Sequence, residues 1–229
     1  MGVPHQYDFK CREDLDTALA ATLAEALRRD LAEQPRVSLA LSGGSTPRDM
    51  LQQLARQQLA WERVDLTLVD ERWVDASSRD ANERLLRECL LQGPAAAARL
   101  HPLILPQLDP ESALPTLEAR LARLPRPFTA VVLGMGTDGH TASWFPDAEN
   151  LPALLDPCSP HRVAATRPGS APQARVTLTL AAVLDSRNIH LHITGARKRE
   201  VLAGAMPRKL PVAHVVQQTH TPVCIWWAP

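Results

Sequence analysis

Several common features are missing from this 229-residue chain, and each absence excludes something. There is no charge imbalance: 25 Lys+Arg stand against 25 Asp+Glu, so the basic footprint of a nucleic-acid binder is missing. There is no apolar run approaching the ~20 residues of a membrane-crossing helix. The segment Met1-Gly2-Val3-Pro4-His5-Gln6 has neither a basic region nor an apolar core, so no secretion signal is visible and a soluble cytoplasmic protein is expected. The cysteines, Cys11, Cys89, Cys158 and Cys224, form no C-x-x-C pair, which argues against a zinc ribbon or a thioredoxin-type site and for reduced, structural thiols. Lysine is nearly absent, with only Lys10, Lys198 and Lys209 among the 25 cations. An internal lysine therefore stands out.

What is present is a 45% hydrophobic chain with helical and strand periods in alternation. Leu15, Leu19, Leu23, Ala26, Leu27 and Leu31 recur every three or four residues, which predicts a helix over about Asp14–Glu33. Further helices are predicted from Pro47 to about Leu59, with Thr46 as N-cap, and over about Asp80–Leu91, Glu111–Leu124 and Ala196–Ala205. Strands are expected at 36–41, 64–69, 128–133, 188–193 and 223–227. The proline-rich stretch 146–174 reads as loop with one short strand near Arg162–Ala165. No repeat or flexible linker divides the chain, so residues 1–229 are expected to form one α/β domain. Its architecture would be a Rossmann-like three-layer sandwich: a mostly parallel sheet with helices on both faces. Ligands of such sheets bind beyond the carboxyl ends of the strands. That rule selects the loops at 42–46, 70–74 and 134–141.

The first loop, Ser42-Gly-Gly-Ser-Thr-Pro47, places glycines and hydroxyls between a strand end and a helix start, an arrangement suited to an anion. It is not a Walker loop, and an ordinary glycine turn would look similar. The second, Asp70-Glu71-Arg72, sets a cation beside two acids; a surface ion-pair cluster is the simpler meaning of three adjacent charges. The third, Gly134-Met-Gly-Thr-Asp-Gly-His140, contains a literal G-x-G-x-x-G. The proline-rich stretch that follows leaves no room for the crossover helix of a dinucleotide site. It presents Asp138 and His140 instead, and a histidine beside an acid suits general-base work. Lys198, near the start of a helix, opposes the helix dipole and calls for an anion. His190 and His192 alternate on one strand face without a third ligand nearby, and are expected to be packing residues.

Taken together and in this order, these motifs resemble the glucosamine-6-phosphate isomerase/6-phosphogluconolactonase family, on its lactonase side. The pieces are Leu41-Ser-Gly-Gly-Ser-Thr-Pro47, Val69-Asp-Glu-Arg-Trp-Val74 with Asn82, Leu133–Pro146, Arg175-Val-Thr-Leu-Thr179 and Gly195-Ala-Arg-Lys198. Ala81 and Trp144 depart from the family's usual Ser and Leu. The resemblance implies hydrolysis of 6-phospho-D-glucono-1,5-lactone in the oxidative pentose phosphate pathway, with no metal or organic cofactor. His140 would be the base that activates water and Asp138 would orient it. Gly43, Gly44, Ser45, Thr46, Arg175 and Lys198 would hold the 6-phosphate, while Asp70 and Arg72 would face the sugar ring and its carbonyl. The expected partner is a small phosphosugar lactone, with no nucleic acid and no membrane, and the chain a monomer or small homo-oligomer. Two rival readings use the same loops. A glucosamine-6-phosphate deaminase/isomerase would carry Asn-Glu-Pro where this chain has Ser143-Trp-Phe-Pro146. A non-catalytic sugar-phosphate sensor of a transcriptional regulator would carry a basic helix-turn-helix segment, and none precedes the first predicted strand.

Overall fold

The computed structural model describes residues 4–229. In chain order the elements are β1 (His5–Asp8), α1 (Arg12–Glu33), β2 (Val37–Leu41), α2 (Arg48–Ala55), β3 (Val64–Leu68), β4 (Asp70–Arg72), α3 (Asn82–Cys89), β5 (Arg99–His101) and α4 (Pro110–Leu121). There follow β6 (Ala130–Leu133), α5 (Leu151–Leu154), β7 (Val163–Thr166), β8 (Arg175–Leu178), α6 (Leu180–Leu184), β9 (Ile189–Thr194), α7 (Ala196–Ala203), α8 (Pro211–Gln217) and β10 (Val223–Ala228). Seven strands form a parallel sheet in the order β1-β10-β9-β6-β2-β3-β5. Every residue of β2, β3 and β6 is buried. Because successive side chains point to opposite faces, burial of all of them requires cover on both sides of the sheet. The expected α/β sandwich is therefore the observed one.

The strand order reverses between β2 and β6. From β2 the chain moves outward through β3 to β5, and from β6 it moves the other way through β9 to β10. Loops leaving the carboxyl ends of β2 and β6 diverge, opening the crevice in which sheets of this kind bind ligands. Ser42 spans that crevice at its root, since its hydroxyl donates to the Val132 carbonyl (2.8 Å) and accepts from the Gly134 amide (3.0 Å).

Several elements differ from the sequence expectation. The charged triplet 70–72 is not a loop but β4, an edge strand of a second, antiparallel sheet β4-β8-β7. Val69 is the joint: its amide donates to Leu41 in the first sheet, and its carbonyl accepts from Leu178 in the second. β8 itself carried no strand prediction: its four residues are held between β4, more than a hundred residues away, and β7, across the proline-rich stretch. The α2 helix is shorter than expected, ending at Ala55, and Thr46 does not cap it. Pro47 occupies the cap position, and the carbonyls of Ser45 and Thr46 instead accept from the Arg12 guanidinium at 3.0 and 2.7 Å. The α4 helix begins at Pro110, one residue early, because the Asp109 carboxylate accepts from the Ser112 amide (3.0 Å) and supplies the cap. The stretch 146–174 holds α5 as well as β7, and β1, β5, α6 and α8 add edges and cover that were not anticipated. Among the described residues no helix is long and apolar enough to cross a membrane.

Candidate active site

One cavity of about 230 Å³ opens at the carboxyl ends of the parallel strands. Its wall includes Ser42–Pro47, Asp70, Arg72, Asn82, Gly134, Gly136, His140, His192 and Lys198. All three segments selected from the sequence, two loops and β4, thus converge on one space. A roomier surface cleft of about 580 Å³ lies between β5 and α4, and its wall holds none of the residues of the three selected segments.

The acid–base pair of the cavity comes from the 134–141 loop. His140 Nδ1 lies 2.6 Å from Asp138 Oδ1, and the same carboxylate oxygen accepts from the His140 amide at 3.2 Å. Burial pushes the Asp138 carboxyl up, but the bonds and charge of His140 outweigh it and hold the group below its ordinary range. A carboxylate accepts at Nδ1, so Nδ1 carries the proton and the Nε2 lone pair is free. Phe145 stacks on the ring with centroids 4.1 Å apart, which fixes its plane. Behind it the loop is tied down: the Gly136 amide donates to His140 O, Val212 donates to Gly139 O, and Thr141 Oγ1 donates to Gly134 O. Trp144, fully buried, donates through Nε1 to Leu178 O at 2.8 Å.

Glycine is obligatory at position 136. A Cβ there would sit 2.3 Å from His140 Cε1, 2.4 Å from its Nδ1 and 2.5 Å from Asp138 Oδ1. We expect Gly136→Ala to displace the pair rather than unfold the chain, because these atoms sit at side-chain ends near solvent. A misplacement near 1 Å costs about 10²-fold in rate, so kcat should fall on that order with the melting temperature nearly unchanged; steady-state kinetics and a thermal melt check both.

The opposite wall is β4 and the start of α3. Alternation along a strand sends Asp70 and Arg72 one way and Glu71 the other. Asp70 accepts from the Ser143 hydroxyl at 2.5 Å, and its carbonyl accepts from Asn82 Nδ2 at 2.9 Å. Arg72 donates to the Asp80 carbonyl. Glu71, fully buried, turns away from the cavity and accepts from the amides of Arg72, Asn82 and Glu83 at 2.7–2.8 Å. Its role is to anchor the α3 N-terminus. Asn82 also explains Gly43, where a Cβ would come within 1.9 Å of the Asn82 amide oxygen.

The third region is polar and cationic. Gly44, at φ +91°, turns the 42–46 loop in a way that only glycine adopts readily. Lys198 stands near the start of α7, after Gly195 at φ +89°. Burial, and then repulsion from Arg12, pull its ammonium below the ordinary lysine range, which leaves it receptive to an anion. Arg175 is not part of the cavity wall. It is 8% exposed, pairs across the strands with Arg72, and lies over the Phe145 ring at 5.7 Å. Burial and then Arg72 pull its pKa down.

Sequence reasoning missed Phe145, Ser143 and Arg12 as site-shaping residues: Ser143 and Arg12 act on partners far away in sequence, and Phe145 meets His140 only through the fold of the loop between them. His190 is a packing residue as expected: burial pushes its pKa down to about 4, so the ring is neutral and its Nδ1 accepts from Trp226 Nε1 at 3.0 Å. His192 is not mere packing; it reaches the cavity wall. Among the described residues no group of three or more His, Cys, Asp or Glu side chains is placed to hold a metal ion.

Comparison with known proteins agrees with this geometry. A family model described as glucosamine-6-phosphate isomerases/6-phosphogluconolactonase matches residues 10–226. A 6-phosphogluconolactonase of Mesorhizobium japonicum is 45% identical over 224 residues, 96% of this chain and 94% of that one. One from Rhizobium meliloti is 39% identical, covering 94% of each. The crystal structure of a 6-phosphogluconolactonase from Shewanella baltica superposes with a TM-score of 0.94 at 37% identity, covering 99% of this chain and 98% of that one. The chain belongs to the glucosamine-6-phosphate isomerase/6-phosphogluconolactonase family.

Proposed function

We propose that this chain is a 6-phosphogluconolactonase: it hydrolyses 6-phospho-D-glucono-1,5-lactone to 6-phosphogluconate, with His140 as the general base. The observation that carries the reading is the Asp138–His140 pair, 2.6 Å apart, facing the same cavity as the 42–46 loop and Lys198. One end of the cavity thus handles a proton while the other accepts an anion. That suits a lactone with a phosphate remote from its reacting carbon.

In this mechanism a water held at the free Nε2 of His140 attacks the lactone carbonyl carbon, and Nε2 takes its proton. Asp138 fixes the ring and stabilises the imidazolium that forms. The Arg72 guanidinium, in the cavity wall, accepts the developing oxyanion, while Asp70, steadied by Ser143, receives a ring hydroxyl. Collapse of the tetrahedral intermediate breaks the bond to the ring oxygen, which takes the proton back from Nε2. The product carboxylic acid then ionises and releases one proton. General-base help of this kind is worth about 10²–10⁴-fold, and oriented donors to the oxyanion a comparable factor.

The 6-phosphate is assigned to the backbone and hydroxyls of Gly43, Gly44, Ser45 and Thr46 together with Lys198. Binding energy from this group, far from the chemistry, orients the lactone. Arg175 acts from behind, supporting Phe145 and adding positive potential beside Arg72. Lys198→Ala should raise KM about 10- to 100-fold, the range for a charge-assisted bond, with a smaller change in kcat. Unphosphorylated gluconolactone should be turned over equally by both proteins, and equal losses on the two substrates would refute the assignment.

The overall reading is tested by adding freshly generated lactone and following proton release against the spontaneous rate, with glucosamine 6-phosphate tested for ammonia in parallel. Accelerated acid release without ammonia is expected. Ammonia release would transfer the site to deamination, a chemistry for which the chain lacks the Asn-Glu-Pro segment, having Ser143-Trp-Phe-Pro146 in its place.

A further inference from the structure

His192 lies on β9, a strand buried along nearly its whole length. Its side chain is 2% exposed, yet it forms part of the cavity wall together with Lys198 and the 42–46 loop. Nε2 sits 3.1 Å from Oδ1 of Asp16, itself 1% exposed; the two are close enough to ion-pair, though not aligned for a linear hydrogen bond. Nδ1 has no partner among the described residues. A buried ring with an unmade bond is costly to keep, and in native structures such a group calls for an explanation, commonly a ligand. The cost is tolerated here at the floor of a ligand cavity.

The pairing continues beyond Asp16. Its other oxygen faces Arg12 Nε at 3.4 Å, and the same guanidinium donates to the carbonyls of Ser45 and Thr46. A carboxylate in α1 thus links a histidine on β9 to the loop that follows β2. The charged groups around the ring are Asp16 and Arg12 from α1 and Lys198 from α7.

We infer that His192 is a further substrate-binding residue, held by Asp16 and offering Nδ1–H to an oxygen of the phosphate that Lys198 and the 42–46 loop receive. The inference rests on the proposed phosphosugar site and adds to it a group that discriminates for the phosphate. Arg12 answers the Asp16 charge and shapes the loop without entering the cavity wall.

The test uses the full chain, His192→Leu, and the double variant His192→Leu with Asp16→Leu, which avoids leaving a buried carboxylate unpaired should the single variant fold poorly. Binding of 6-phosphogluconate and of unphosphorylated gluconate is measured by calorimetry, alongside KM and kcat for the lactone. We expect 6-phosphogluconate binding to weaken about 10- to 100-fold, as for loss of one charge-assisted bond. KM should rise in parallel, with kcat within about threefold and gluconate binding unchanged. Affinity within twofold of the parent in either folded variant would overturn the inference. So would equal weakening for both ligands, which would make His192 a support for the whole pocket. If the parent binds 6-phosphogluconate but does not hydrolyse the lactone, the proposed activity fails, while the binding comparison still decides the role of His192.

Discussion

Replacing His140 with alanine is expected to lower kcat about 10²–10⁴-fold, the contribution of a positioned general base, while KM and the melting temperature change little. The side chain is 28% exposed, and the bonds that hold its loop run through the Gly136, Gly139 and Thr141 backbone and hydroxyl groups rather than through the imidazole. Removing the ring therefore deletes chemistry and leaves architecture. The residual activity should still exceed the spontaneous rate, because Arg72, the phosphate loop and Lys198 remain to orient the substrate and receive negative charge. Asp138→Asn should fall between the two proteins. An amide at that position can no longer stabilise imidazolium, but the base is still present. Kinetics on freshly prepared lactone with background subtraction decide the matter: a His140→Ala enzyme turning over at near-parental kcat would take the base role away from this residue.

The second large effect is on stability. Glu71→Ala should destabilise the fold by roughly 3–5 kcal/mol, since it orphans three buried amides, each worth about 1–3 kcal/mol when left without an acceptor. At about 2–4 °C per kcal/mol for a chain of this size, the melting temperature should drop by roughly 10 °C. The α3 N-terminus would loosen with it, and Asn82 would no longer hold Asp70 in place. Glu71 also carries a pH signature. Burial, helped by the charge of Asp70, pushes its carboxyl up to about 7 against the pull of the three amides. Its folded value lies above its unfolded value of 4.5, so folding takes up a proton between the two. The associated stability is fully present below about 4.5 and is lost as pH rises through about 7, a change on the order of 3 kcal/mol. Urea midpoints of the parent should accordingly fall from pH 5 to pH 8, and Glu71→Gln should show a flatter profile. Identical profiles in the two proteins would mean that some other group is responsible.

The two experiments probe different links between sequence and function. His140 stands out in the sequence as a candidate base because its loop carries the signal locally: glycines for a tight turn, an acid two residues away, and an apolar strand just before. Nothing local marks Glu71. Read in the sequence it is one of three adjacent charges, and only the antiparallel pairing of β4 with β8 tells which of them face the cavity. The same pairing sets Arg175 beside Arg72, where it is not part of the cavity wall. It also exposed the limit of reading strands by their apolar runs, since β4 consists entirely of charged residues and is held by a partner from the other half of the chain.

Local chemistry in the sequence was sufficient for the alternation of helix and strand, the parallel sheet, the loops at 42–46 and 134–141 and the Asp138–His140 pair. These follow from hydrophobic period, glycine conformation and side-chain type, all of which act over a few residues. Tertiary structure decided the rest: the reversal of strand order between β2 and β6 that opens the crevice, the second sheet that orients Asp70 and Arg72, the anchoring of α3 by Glu71, and the chain of contacts from His192 through Asp16 and Arg12 to the 42–46 loop. Each of these depends on groups from eleven to more than a hundred residues apart, whose meeting is set by packing around one core and leaves no local pattern in the sequence to read.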